Sequence, residues 1–279
     1  MDRNPIEEVA RELMSAYESG AMVQVPPSSR PGFDLDAAYE IEAMLKRWRE
    51  ATGVRAVGRK VGYANKAMWR VFKLPTLVWA HMYSNTVHYS DSNSIELSLP
   101  HARSLKVEPE IVFGLKQAVT AEGLDAAAAL NHVDWIAIGF EIIDCPYPDW
   151  KFQPSDLVAS YGLHAALAVG ERVPVRAEEV GSLMEELPRF KVRVSKNGEL
   201  VEEGSGKNSL GSPAACLAEL GTAALRRFPN EPLHSGELIS SGTLTAGHLA
   251  GGGEDWSVEV SGLALPPLRL CLSQAPPRR

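Results

Sequence analysis

Cysteine is scarce: Cys145, Cys216 and Cys271 are the only thiols in 279 residues, an odd number without metal-type spacing. That excludes a disulfide framework and fits a reducing compartment. Basic charge is in deficit too, with 28 Lys and Arg against 35 Asp and Glu and a net charge of −7. Neither nucleic acid nor an anionic membrane is an expected partner. No apolar run approaches the ~20 residues that span a bilayer, and the start, Met1-Asp2-Arg3-Asn4-Pro5, lacks a signal peptide's apolar stretch, so a cytoplasmic location is expected. Nucleophile motifs are missing: there is no Gly-x-Ser-x-Gly elbow, and the seven histidines are dispersed, so His132 and His164 read as structural or solvated. The Gly-rich run Glu203-Gly204-Ser205-Gly206-Lys207-Asn208-Ser209-Leu210-Gly211-Ser212-Pro213 does not have P-loop spacing, because Lys207 comes too early and is followed by Asn. An ATP site is excluded; an anion cradle and a flexible loop leading to an ordinary helix cap both remain.

What is present is an ordinary globular interior, with 45% hydrophobic residues, enough for one large domain or a core domain with an appendage. Helical spacing runs from Ile6 to Ser19, with Val9, Leu13 and Ala16 on one stripe. A second helix, capped by Asp34, runs to Ala51 with Ala38, Ile41, Leu45 and Trp48 inward. These form an expected N-terminal helical region, 1–53, followed by a β-rich domain, 54–279. In the latter, short Val/Ile-rich segments predict strands near 54–62, 94–98, 107–115, 135–143, 163–169, 189–196, 237–243 and 256–262. Helices are predicted near 122–131, 176–186 and 213–228, the last opening on Ser212-Pro213. The tail from Gln274 to Arg279 is expected to fray.

Three carboxylates stand out. Glu108 and Glu110, in Val107-Glu108-Pro109-Glu110-Ile111-Val112-Phe113, share a face of an extended segment while Pro109 faces the other way. In Trp135-Ile136-Ala137-Ile138-Gly139-Phe140-Glu141-Ile142 the bulky side chains take one face and leave Glu141 beside small Ala137 and Gly139. Ionised acids in apolar strands cost several kcal/mol, of order 2–7 or more, unless paired. They either meet Arg or Lys on a solvated sheet face or hold a hard divalent ion, magnesium or manganese, with positions left open for water or substrate. Lys60 in Ala56-Val57-Gly58-Arg59-Lys60-Val61-Gly62 is flanked by glycines on its own face, which leaves room for proton transfer or an anion; the plainer alternative is a surface lysine on an edge strand.

These segments, with Asp149-Trp150-Lys151-Phe152, Leu210-Gly211-Ser212-Pro213 and Ile239-Ser240-Ser241-Gly242-Thr243-Leu244-Thr245, resemble in order the 2-keto-4-pentenoate hydratase and 4-oxalocrotonate decarboxylase group of the fumarylacetoacetate hydrolase superfamily. The resemblance implies an α+β fold, a mixed β-sandwich or β-roll core with an N-terminal helical region, in homo-oligomers. It implies magnesium or manganese on Glu108, Glu110 and Glu141, proton transfer by Lys60, and a 2-oxo acid docked near Ser160, Leu163 and Thr245. Two departures bear on substrate: Ser84 and Asn85 stand where many members carry an acid, and Cys145-Pro146 where many carry Ser-Arg. Loss of that arginine removes a contact for a second carboxylate, unless Arg59, Arg70 or Arg103 substitutes.

The leading expectation is a metal-dependent lyase that hydrates a 2-hydroxydienoate or 2-oxo-enoate through a metal-stabilised enolate, with the Lys60 pKa lowered by a desolvated site beside the cation. A decarboxylase would use the same enolate. An acylpyruvate C–C hydrolase would need a water-activating His–Glu pair, for which His101 and Glu96 are the available sources. A silent relative that binds a 2-oxo acid or assists an enzyme is the non-catalytic alternative.

Overall fold

The structure, a computed structural model, describes residues 5–90 and 92–274; the expectation of a frayed tail therefore falls almost wholly on residues outside those described. In chain order the elements are α1 (Pro5–Ser19), α2 (Leu35–Ala51), β1 (Ala56–Gly62), α3 (Lys66–Phe72), β2 (Val78–Tyr83), β3 (Val87–Tyr89), β4 (Ser94–Leu97), β5 (Leu105–Leu115), α4 (Ala126–Leu130) and β6 (Val133–Asp144). There follow α5 (Pro154–Ala159), β7 (His164–Val169), β8 (Val173–Pro174), α6 (Val180–Glu186), β9 (Lys191–Lys196), β10 (Glu199–Ser205), α7 (Pro213–Arg227), β11 (Leu238–Thr243), β12 (His248–Ala250), β13 (Glu254–Ser261) and β14 (Leu268–Leu272). Caps are where the sequence places them: Asp34 accepts from the N–H groups of Asp36 and Ala37, and Ser212 from Ala214.

Among the described residues the larger sheet has the path β2-β1-β11-β5-β6-β7-β3, and the smaller is β10-β9-β13-β14-β4. The larger sheet must curl. Its end strands β2 and β3 are consecutive in the chain, and the step from Tyr83 to Val87 covers at most about 15 Å. Seven flat strands would hold those edges about 29 Å apart. Thr86 stitches the closure, its carbonyl accepting from Leu167 N–H at 2.8 Å. The result is a β-roll with an outer and an inner face.

Register decides which residues go where. In the β5–β6 pair Ile111 faces Ile138 and Phe113 faces Ile136, and these join the main core together with Trp256, Val258, Val192 and Leu270 of the smaller sheet. The alternate residues, Val112 and Ala137, turn into the roll and pack with Met82, Leu167, Val169 and Leu238. The same inner face, continued along the strands, carries the acids. α1 and α2 dock on the main core through Val9, Leu13, Ile41 and Leu45.

Several elements differ from expectation. β2 was not predicted, because all six of its residues are buried and no alternation marks it; α5 is likewise buried throughout and has no polar face. β10 and β14 also lie outside the predicted strands, and the helix expected at 122–131 is only Ala126–Leu130. β1 is no edge strand, since it runs parallel to β11 and antiparallel to β2. Among the described residues no helix is long and apolar enough to cross a membrane.

Candidate active site

On the inner face of the roll, Glu108 lies directly opposite Glu141 and Glu110 opposite Gly139. Like charges in that relation repel, since directly opposed side chains have Cβ atoms ~5 Å apart. One carboxylate oxygen from each of Glu108, Glu110 and Glu141 lies within 4.8 Å of the others, and Glu110 and Glu141 are buried.

Each acid is held differently. Glu110 Oε2 accepts from Ser240 Oγ at 2.5 Å and from Gly242 N–H at 2.9 Å, both from β11. Glu141 Oε1 is 3.0 Å from His164 Nδ1, whose Nε2 is 2.9 Å from Thr86 Oγ1. Glu141 Oε2 pairs with Lys60 Nζ at 3.0 Å, and no other group among the described residues donates to this buried oxygen. Glu108 is hemmed by Gly247, where a Cβ would come within 2.6 Å of its Oε1.

Lys60 Nζ also donates to Gly162 O at 3.0 Å. Gly162 has φ +63°, and a Cβ there would lie 2.7 Å from Lys60 Cδ, so only glycine admits both the turn and the lysine. Of the three N–H donors of the ammonium, one faces Gly162 and one Glu141, leaving one for a ligand.

Burial pushes the Glu108 carboxyl up to about 7, with Glu141 adding to the rise and Lys60 opposing it. Burial, then Glu141 and Glu108, raise Glu110 well above the ordinary range. Burial would raise Glu141 too, but Lys60 and His164 outweigh it and hold this carboxyl low. Without a cation among the three acids, burial pulls the Lys60 pKa down, but Glu141, Glu108 and Glu110 together hold it above its ordinary value. Three convergent carboxyl groups against one cation in direct contact, and an all-oxygen donor set, fit a hard divalent cation.

The cluster opens into a cavity of about 560 Å³ whose wall includes Lys60, Glu108, Glu110, Leu163 and Thr245. Ser160, expected beside them, is not on this wall; it caps the C-terminus of α5, and its Oγ is 2.5 Å from Tyr147 Oη. Sequence reasoning missed Lys106, Trp150 and Asn208 on the cavity wall, and it treated His164 as merely structural or solvated, whereas His164 is buried against Glu141. The Gly-rich run supplies Asn208, whose side-chain N–H donates to Leu244 O.

Other expected contributors lie elsewhere. Glu96 and His101 are exposed residues off the cavity wall. A His–Glu pair does occur near the rim, His248 Nε2 to Glu202 at 2.7 Å, but only Glu202 reaches the wall. Arg59 donates to the carbonyls of Glu231 and Pro232, Arg103 binds Asp144, and Arg70 lines a separate surface hollow. Neither Ser84 nor Asn85 lines the cavity; Asn85 Oδ1 accepts from Arg49.

Comparison with known proteins agrees with the resemblance. The family profile described as the fumarylacetoacetate hydrolase C-terminal domain matches residues 48–267. A 2-hydroxyhexa-2,4-dienoate hydratase of Comamonas testosteroni is 27% identical, covering 94% of this chain and 96% of its own. A 4-oxalocrotonate decarboxylase of a Pseudomonas species is 30% identical over 75% of this chain and 76% of its own. Among solved structures, 4-oxalocrotonate decarboxylase from Pseudomonas putida G7, complexed with magnesium and adipate, superposes with a TM-score of 0.86, 23% identity and 98% coverage of both chains; this likeness speaks for the fold.

Proposed function

The chain belongs to the fumarylacetoacetate hydrolase family, and from that premise we propose that it is a divalent-metal-dependent hydro-lyase acting on a 2-hydroxydienoate or 2-oxo-enoate. The observation that carries this reading is the convergence of Glu108, Glu110 and Glu141 beside Lys60, with Lys60, Glu108 and Glu110 on a cavity wall. Glu108, Glu110 and Glu141 would hold magnesium or manganese. Such an ion, when bound, supplies positive charge that draws a 2-oxo acid toward its enolate form, worth several kcal/mol of barrier.

The chain's own residues do the rest. Hydration of a 2-hydroxydienoate adds a proton at C5 and hydroxide at C4, while the enol at C2 becomes a ketone and C3 gains a proton. Lys60, buried beside the three glutamates, is the group placed to deliver a proton and take one back. Gly162 O fixes its ammonium, and Thr245 and Leu163 bound the space in which the oxo acid sits. His164 and Ser240 hold Glu141 and Glu110 in place. The reading includes a helical region, 1–53, on a catalytic domain, 54–279, and a homo-oligomer working in the cytoplasm; exposed apolar side chains at Val71 and Leu249 are in keeping with assembly.

The test is turnover of 2-hydroxypenta-2,4-dienoate by the magnesium-loaded protein, followed as loss of diene absorbance and appearance of 4-hydroxy-2-oxopentanoate. Lys60→Ala is expected to lower kcat about 10²- to 10⁴-fold. Release of carbon dioxide from a 2-oxohexenedioate without diene hydration would make the protein a decarboxylase. Pyruvate release from acetylpyruvate would make it a hydrolase. Binding of 2-oxo acids without turnover would make it a silent relative.

A further inference from the structure

Three consecutive residues beside the site, Tyr161, Gly162 and Leu163, are left-handed, with φ of +55°, +63° and +59°. For Tyr161 and Leu163 that conformation is unfavourable, because the Cβ crowds the following carbonyl oxygen, and it persists only where the surroundings hold it. The turn is closed by the Leu163 N–H on Ser160 O at 2.9 Å and by the His164 N–H on Tyr161 O. It serves the site directly, since Gly162 O accepts from Lys60 Nζ at 3.0 Å and Leu163 stands on the cavity wall. What holds the turn lies behind it. The Tyr161 ring is buried, 4.6 Å from the ring of Tyr17 in α1 and 6.1 Å from that of Tyr83 in β2. Into this group of rings α2 sends Arg49, whose Cζ is 4.1 Å from the Tyr83 centroid, 5.1 Å from that of Tyr17 and 5.4 Å from that of Tyr161. Its guanidinium also donates to Asn85 Oδ1 at 2.8 Å.

A planar guanidinium stacks on aromatic faces in a way that fixes their mutual placement. Shared among three rings, it ties Tyr161 to α1, α2 and β2 together, although Arg49 itself is not on the cavity wall. We infer that Arg49 is a positioning residue for Lys60: it locks the Tyr161 ring, the ring keeps the turn at 161–163 left-handed, and the turn keeps the Gly162 carbonyl against the ammonium. The N-terminal helices α1 and α2 are thereby part of the active site. The catalytic consequence rests on the proposed function; the clamp on the turn is a property of the fold alone. The acids are held by other means, with Glu110 bonded to Ser240 and Gly242 of β11 and His164 seated in β7 opposite Ile143 of β6. Loosening the turn therefore reaches Lys60 and leaves the acid cluster in place.

Hydrogen exchange and kinetics on the full chain test this with Arg49→Met, which keeps the length of the side chain without its charge, with Tyr161→Leu, and with both together. Exchange is read by mass spectrometry of fragments that isolate the turn. In Arg49→Met the Leu163 and His164 amides are expected to exchange at least about tenfold faster, while amides of β6 stay within about twofold of the parent. With 2-hydroxypenta-2,4-dienoate and excess magnesium, kcat is expected to fall about 10- to 100-fold, the scale of an ångström's misplacement, with the magnesium dissociation constant within about threefold of the parent's. The double variant should lose no more than the worse single one, because the two residues act as a unit. Unchanged exchange at Leu163 and His164 overturns the inference, and so does an equal rise in β6, which would make Arg49 an ordinary stabiliser of the fold. Faster exchange in the turn with kcat unchanged, or losses that multiply in the double variant, overturns the positioning role. Absence of turnover by the unaltered protein strikes at the proposed function instead, and exchange then still decides whether Arg49 holds the turn.

Discussion

Glu110→Gln separates the stability of the empty site from the stability lent by a cation. Without metal, Glu108, Glu110 and Glu141 crowd negative charge into a desolvated pocket with Lys60 as the cation in direct contact. The Glu110 carboxyl is accordingly pushed far up by burial and by its two acidic neighbours. Replacing it with the neutral, isosteric amide mimics the uncharged carboxyl that this upward push favours and can keep one acceptor for Ser240 Oγ and Gly242 N–H, so the metal-free variant is expected to melt within about 2 °C of the parent, a difference of roughly 1 kcal/mol or less for a chain of this size. The loaded state behaves oppositely. A ligand at 100 times its dissociation constant stabilises the folded state by about 2.7 kcal/mol, or about 5 °C or more at some 2–4 °C per kcal/mol. Removing one of three anionic ligands should abolish most of that rise. The assay is differential scanning calorimetry of chelator-treated protein, with and without magnesium. A Glu110→Gln protein that keeps the parent's magnesium-dependent rise would refute the assignment of Glu110.

Other expectations concern neighbours of the cluster. Gly162→Ala forces a Cβ to 2.7 Å from Lys60 Cδ at φ +63°; it is expected to cost about 1–2 kcal/mol of stability and a larger share of activity, checked by denaturant melts beside kcat. His164→Gln removes the imidazole between Glu141 and Thr86, and the apparent magnesium affinity should fall about 10- to 100-fold, as read by calorimetric titration. Away from the site, burial would raise the Glu42 carboxyl, but His81, 2.7 Å away, outweighs it and holds it below the ordinary carboxylate range. A lowered folded-state pKa contributes stability above the unfolded value of about 4.3, and this is lost as pH falls through the folded value. The gap in melting temperature between the parent and Glu42→Gln should therefore be widest above about pH 4.5 and close on acidification; a gap that widens in acid would contradict the pairing.

The sequence was most legible where one face of an element is buried and the other is not. The β5 and β6 segments alternate apolar and polar or small residues, so the strands and the shared face of Glu108 and Glu110 could be read from spacing, while the addition of Glu141 came from the family resemblance and is set by the β5–β6 register. β2 and α5 lack that contrast, because they are buried all round. Residues brought in from distant segments were the least legible. His164 reaches Glu141 through the β6–β7 pairing, and Lys106 resembles any solvated strand lysine until Trp150 is folded over it. Ser160 was chosen for its place next to Leu163, and only the structure shows its hydroxyl against Tyr147.

The central claim is that these three glutamates grip one divalent ion to which a 2-oxo acid is presented. A crystal structure grown with manganese and oxalate tests it most directly, since anomalous scattering marks the ion and oxalate copies the chelating end of the substrate. The account predicts one strong peak within bonding distance of oxygens from Glu108, Glu110 and Glu141, with oxalate on the ion's open side facing Lys60. Manganese bound elsewhere with this trio empty, or oxalate seated away from the ion, would contradict it.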